Sequence, residues 1–193
     1  MSAPSFAELE AAASSVIDIL KTMSEFSNVK IAVIGGLGLW KYLRGYRTTE
    51  FKERQKQLKI NYLPCPPVLS NSRRSFFFYR SSNGKHIQVD ITPDWQSPYI
   101  LSAAGPISAV RPGSLPYISE TDLLIFKINS CGLRSTPAKK LRDATDARSL
   151  ADDLSSKGPI VLSSTQKSAV LQGLDDVVRL SGKTGLGESP NWH

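Results

Sequence analysis

The chain has 193 residues, 40% of them hydrophobic and 21% charged, with a formal net charge of +7 at pH 7. These values suit one well-cored globular domain and exclude a disordered or low-complexity chain. No apolar run reaches the roughly 20 residues needed to span a bilayer, and acidic Glu8 and Glu10 stand where a secretory leader carries basic residues. Cys65 and Cys131 lie far apart, with neither disulfide-framework nor zinc spacing. The expectation is an intracellular, cytoplasmic protein with free thiols and no membrane partner. The positive charge permits a phosphate-rich partner, yet no zinc-finger spacing or RNP motif accompanies it, and the same surplus serves solubility.

Phe6 to Phe26 reads as a helix with Ser5 as N-cap, because Phe6, Leu9, Ala13, Val16, Ile17, Leu20 and Met23 recur near helical spacing. Val29 to Ile34 is a compact β-branched run ended by Gly35-Gly36, a buried strand. Leu37 to Leu43 reads as a short helix closed by Gly45. Phe51 to Ser75 forms an irregular stretch: "FKERQKQLKINYL" has helix-compatible composition but a poor apolar face, and "PCPPVLSNSRRS" is loop-like. From Phe76, "FFFYRSSNGKHIQVDITP" predicts a β-hairpin turning at Ser82-Asn83-Gly84. In its second strand Ile87, Val89 and Ile91 alternate with His86, Gln88 and Asp90, so one face is apolar and the other polar. Three helices follow. One starts at Ser119 or Thr121 and buries Leu123, Leu124, Phe126 and Ile128; one has Pro137 near its start and Leu141, Ala144 and Leu150 on its apolar side; one spans Ser164 to Leu180. The fold class is α/β (α+β), a small mixed sheet followed by a helical half, in one domain over 1–182 with a disordered tail over 183–193.

Three constellations carry chemistry. Strand, Gly35-Gly36 and helix form a turn in which backbone can approach phosphate oxygens. It lacks the Gly-Lys-Ser/Thr of a P-loop and the spacing of a dinucleotide fingerprint, and it also suits a plain tight turn. Asp90, on the polar face of its strand, can hold Mg²⁺ beside substrate phosphates, or can be a solvated or capping carboxylate. Lys127 with "KKLRDATDARSL" can line a phosphate-facing cleft; Asp143 and Asp146, three apart, share a helix face and equally suit ion pairs.

In this order the pieces "IAVIGGLGLWKYLRGYRTTE", "FFFYRSSNGKHIQVDITP", "ISETDLLIFKINSCGLR" and "KKLRDATDARSL" resemble the nucleotidyltransferase superfamily. They are most similar to a group of uncharacterised fungal nucleotidyltransferase-like proteins, related in outline to bacterial AbiEii-type toxins. The resemblance implies Mg²⁺-dependent transfer of a nucleoside monophosphate from NTP to an acceptor left unspecified. Gly35 and Gly36 then match the glycine pair that positions the triphosphate, and Asp90 the third, catalytic and metal-binding carboxylate. Lys127, read as nucleotide-binding, and Asp143 match helical positions behind the cleft. The Asp-x-Asp pair expected just after Glu50 is missing: no Asp occurs between Arg47 and Gln88, and Glu50 and Glu53 are the only acids in that interval. The chain therefore reads as a pseudoenzyme retaining the fold, or as a variant in which residues 51–75 replace the Asp-x-Asp strand. A non-catalytic basic protein binding nucleotide, RNA or a protein partner is the alternative function.

Overall fold

A computed structural model of the chain describes residues 4–46, 57–63, 76–80, 84 and 86–181. They divide into two compact units, residues 1–118 and 119–193, the sheet-bearing and helical halves foreseen above.

In the first unit, helix α1 (Phe6–Lys21) opens with a reciprocal capping box. The Ser5 hydroxyl accepts from the Glu8 N–H, and the Glu8 carboxylate accepts from the Ser5 N–H. Leu9, Ala12, Ala13, Val16, Ile17 and Leu20 form its buried stripe. The helix ends at Lys21 rather than reaching Phe26. The Thr22 hydroxyl donates to the Ile19 carbonyl, and a 3-10 turn over Ser24–Phe26 carries the chain onward.

Among the described residues five strands follow: β1 (Lys30–Ile34), β2 (Gln57–Leu63), β3 (Phe76–Arg80), β4 (His86–Pro93) and the short β5 (Gly105–Pro106), in the order β3-β4-β2-β1-β5. The sheet is mixed, because β2 runs parallel to β4 while β1–β2, β1–β5 and β3–β4 pair antiparallel. The two predicted strands pair antiparallel, with pairs running from Phe76↔Asp90 to Arg80↔His86, while Ser82 and Asn83 of the predicted turn lie outside the described residues. The stretch read as irregular needs correcting, since its residues 57–63 form a strand between β1 and β4. The alternation Gln57-Leu58-Lys59-Ile60-Asn61-Tyr62 is a strand period whose apolar positions can face a core.

Ile31, Val33, Ile87, Val89 and Ile91 join the α1 stripe in one core. Each such burial contributes about 1.5–3 kcal/mol. A one-residue slip of β4 would trade three of them for His86, Gln88 and Asp90, so burial sets the register. Helix α2 (Gly36–Tyr42) leaves the end of β1, with Leu37, Gly38 and Leu39 buried.

The second unit is helical. Helix α3 (Glu120–Leu133) is capped by Ser119, whose hydroxyl accepts from the Asp122 N–H, which settles the choice between Ser119 and Thr121. Helix α4 (Pro137–Lys157) starts on proline, which gives up no intrahelical hydrogen bond there. Leu141 is exposed, and Asp143 and Asp146 occupy buried positions alongside Ala144, Ala147, Leu150 and Ala151. The expected single helix over Ser164 to Leu180 is two, α5 (Ser164–Leu171) and α6 (Leu174–Ser181). Gly173 lies between them against α3, and a Cβ on it would fall 2.1 Å from the Ile128 carbonyl oxygen. Residues 182–193, read as a tail, lie outside the described residues. No described helix is long and apolar enough to cross a membrane.

Candidate functional site

The glycine turn is built from both neighbours. Gly35 has φ 75° and ψ −139°, a conformation open essentially to glycine alone, and its carbonyl accepts the Leu39 N–H to start α2. A Cβ added to Gly36 would meet no described residue within 4 Å. Three contacts hold α2 in place. Trp40 packs edge-on against Phe6 with ring centroids 5.6 Å apart, the Tyr42 hydroxyl donates to the Ile118 carbonyl at 2.6 Å, and the Lys41 ammonium sits 3.9 Å from the Tyr117 ring centroid. The Tyr117 hydroxyl in turn donates to Glu10 at 2.8 Å, and burial followed by that carboxylate pushes its pKa far above the phenol range. Segment 116–118 is itself bonded to β1: Val33 donates to the Pro116 carbonyl and Ile118 to the Val33 carbonyl. The turn therefore rests on a fixed scaffold, a condition for binding with little ordering cost.

Asp90 lies in the middle of β4 and is 7% exposed. That excludes the solvated, strand-end reading. Its register partners are Phe76 on β3 and Lys59 on β2, and Lys59 pairs across to Ile34, the residue just before the glycine turn. With strands about 4.8 Å apart, Asp90 and the end of β1 lie about 10 Å from each other, with Lys59 between them. In the register of β2 with β4, Gln57, Lys59 and Asn61 share rows with Gln88, Asp90 and Thr92.

A divalent cation in such a site takes its positive charge to one or two carboxylates plus substrate phosphates. Among the described residues no group of three or more His, Cys, Asp or Glu comes together. The strand position beside Asp90 is a lysine, which carries the cation's own sign and offers no ligand lone pair when charged. The described residues do not fit Mg²⁺. Glu50 and Glu53, the remaining acids of the interval, lie outside them.

Lys127 belongs to the second unit. Its ammonium donates to Asp143 at 3.0 Å and to Asp146 at 2.8 Å, and the Arg134 guanidinium donates to Asp143 from the other side. Burial opposes the charge of Lys127, but Asp146 and Asp143 outweigh it and raise its pKa. Burial likewise pushes Asp143 up, yet Lys127 and Arg134 prevail and leave its pKa below the usual carboxylate value. The ion-pair reading of this cluster accounts for its geometry, and the charge of Lys127 is already matched. Cys131 is buried, and its thiol is pushed up to about 11 by that burial, with Asp176 and Asp143 adding to it. It is no nucleophile at neutral pH.

Sequence reasoning put Gly35 and Gly36 directly after a buried strand and Asp90 on the second strand of a pair, as the structure has them, and missed that residues 57–63 form a strand. The signal was available in the two-residue alternation of 57–62, which the surrounding prolines and charges obscured.

No protein-family model matches the chain, and no curated protein matches its sequence. Among solved structures it matches the crystal structure of an antigenic nucleotidyltransferase-like protein from Paracoccidioides brasiliensis, with a TM-score of 0.56. The match covers 96% of this chain and 93% of that one at 14% sequence identity. At that identity the likeness is one of fold alone.

Proposed function

We propose that this protein binds a nucleotide on a nucleotidyltransferase-like fold and has lost, or retains only in impaired form, the transfer of a nucleoside monophosphate from NTP. The observation that carries the reading is the Lys59–Asp90 row. By the resemblance Asp90 matches the third, metal-binding carboxylate, and the register position beside it is a lysine rather than a second acid. The fixed Gly35-Gly36 turn supports the binding part. Lys127 stays outside this proposal, because two buried carboxylates engage it.

The formation of β2 from within residues 51–75 favours a natural chain with altered chemistry over a foreign segment. Leu58, Ile60 and Tyr62 share register rows with Val89, Ile91 and Pro93. The acceptor, or an RNA or protein partner, is left open.

The test measures binding of each of the four ribonucleoside triphosphates together with pyrophosphate release in Mg²⁺ or Mn²⁺. The expected result is binding without turnover. Turnover that depends on Mg²⁺ and disappears in Asp90→Ala would sink the impaired reading and restore a working enzyme.

A further inference from the structure

The start of α3 and the end of α4 meet in a charged cluster away from the glycine turn and Asp90. Lys157, the last residue of α4, donates to both Glu120 oxygens, at 3.0 and 2.8 Å, and to Asp153 one turn back at 2.5 Å. The two carboxyl groups also stand within hydrogen-bonding reach of each other. One ammonium therefore serves two acids that come from different helices. The cluster around Lys127 is balanced by contrast, because Arg134 joins Lys127 against Asp143 and Asp146. The Glu120 side chain is 13% exposed and Lys157 54%, so the acid is desolvated more than the cation that serves it.

Neighbouring acids are engaged elsewhere. Asp152 pairs with Arg148, and Asp122 accepts from the Ser119 hydroxyl and from Gln166 of α5. What α5 sends to this corner is thus an uncharged amide, while α6 brings its Asp176 to Gly132, at the far end of α3. Among the described residues the charged groups facing Glu120 are Asp153 and Lys157.

Two carboxyl groups at one site do not both ionise freely, because each charge disfavours the other. Burial, and then Asp153, raise the pKa of Glu120 above the ordinary carboxylate value against the pull of Lys157. Asp153 moves down, held by Glu120 and Lys157. We infer that Glu120 and Asp153 hold one proton between them in mildly acidic solution, and that this proton tightens a clasp between the first turn of α3 and the last turn of α4. With the proton in place, the Glu120 hydroxyl donates to Asp153 and Lys157 matches the one remaining charge. When solvent takes the proton, the corner carries one uncompensated negative charge and the clasp loosens. A group whose pKa is raised by folding gives a contribution that is full below its unfolded value, about 4.3 for glutamate, and is lost as pH rises through the folded value. The sign is opposite to that of Asp143.

The experiment is a carbon-13 NMR titration of the glutamate side-chain carboxyls in the full chain. Glu120 is expected to titrate above the exposed glutamates. Asp153→Asn, which removes the facing negative charge, should lower its midpoint, and Lys157→Met should raise it further; a merely structural contact would give neither direction. Urea unfolding adds the clasp itself. Glu120→Gln keeps a donor toward Asp153 and cannot ionise, so its midpoint should exceed that of the parent by about 0.3 M at pH 7.5 and match it near pH 4. Both histidines are present in parent and variant and cancel in the difference. Glu120 titrating together with the exposed glutamates, or indifferent to Asp153→Asn, overturns the shared proton. A Glu120→Gln difference that is the same at both pH values overturns the clasp. If a variant does not fold, the titration of Glu120 in the parent chain decides.

Discussion

Lys127→Met separates the two roles open to the basic group on α3. In the folded chain the Lys127 side chain is 12% exposed, and its partners Asp143 and Asp146 are 4% and 3% exposed, so solvent screens the cluster little. Removing one member of a buried pair leaves charge that the interior cannot solvate, at a cost of about 3–5 kcal/mol. Arg134 still donates to Asp143 and tempers that cost on one side, so the lower end of the range is expected. Against a typical domain stability of about 5–15 kcal/mol this is a large loss. The assay is urea unfolding followed by far-UV circular dichroism, to which the long helices α3 and α4 contribute strongly. With m of about 1–3 kcal/mol per molar, the midpoint should fall by roughly 2 M. Asp146→Asn should fall less, and the double variant should lose less than the sum of the two, the mark of a direct coupling. An unshifted midpoint in Lys127→Met, combined with a loss of nucleotide affinity, would refute this reasoning. It would return Lys127 to the ligand, as the sequence resemblance implied.

Two glycines should respond oppositely to alanine. Gly173→Ala forces a Cβ against the backbone of Ile128 and should cost about 2–3 kcal/mol or more, whereas Gly36→Ala meets no described residue and should leave the unfolding midpoint unchanged within about 0.5 kcal/mol; equal midpoints for the two would contradict the packing described here. The charged cluster also predicts an acid limb. Asp143 has a pKa lowered by folding, so its contribution is present above the unfolded value of about 3.9 and is lost as pH falls through the lower folded value. Asp143→Asn should flatten that limb in a stability–pH profile, and an identical slope in both proteins would remove Asp143 from the account. Lys127 has the opposite sign: its raised pKa keeps its contribution intact below about 10.4 and loses it only at higher pH.

Much of the fold was legible because local patterns carried it. The apolar stripe of α1 and its Ser5–Glu8 cap, the β-branched run of β1, the alternation of β4 and the Ser119 cap of α3 are each written in a few neighbouring residues. Where the reading failed, a distant partner decided. The break between α5 and α6 depends on Gly173 pressing against Ile128, 45 positions earlier in the chain by their numbers, which no helical periodicity can report. Asp143 and Asp146 are buried where Lys127 reaches both and Arg134 reaches Asp143, although on α4 alone they suited a phosphate-facing cleft as well as ion pairs.

By itself, then, the sequence determined that a glycine turn follows a buried strand, that Asp90 sits on a polar strand face, and that no Asp-x-Asp precedes it. Spacing and residue type suffice for those statements, since they concern one element at a time. Only the tertiary structure decided that residues 57–63 form the strand between β1 and β4 and that Lys59 takes the register position beside Asp90. The physical reason is that register between non-consecutive strands is set by which faces bury their apolar residues together. The pairing of β2 with β4, and not any local signal, sets Lys59 in register with Asp90.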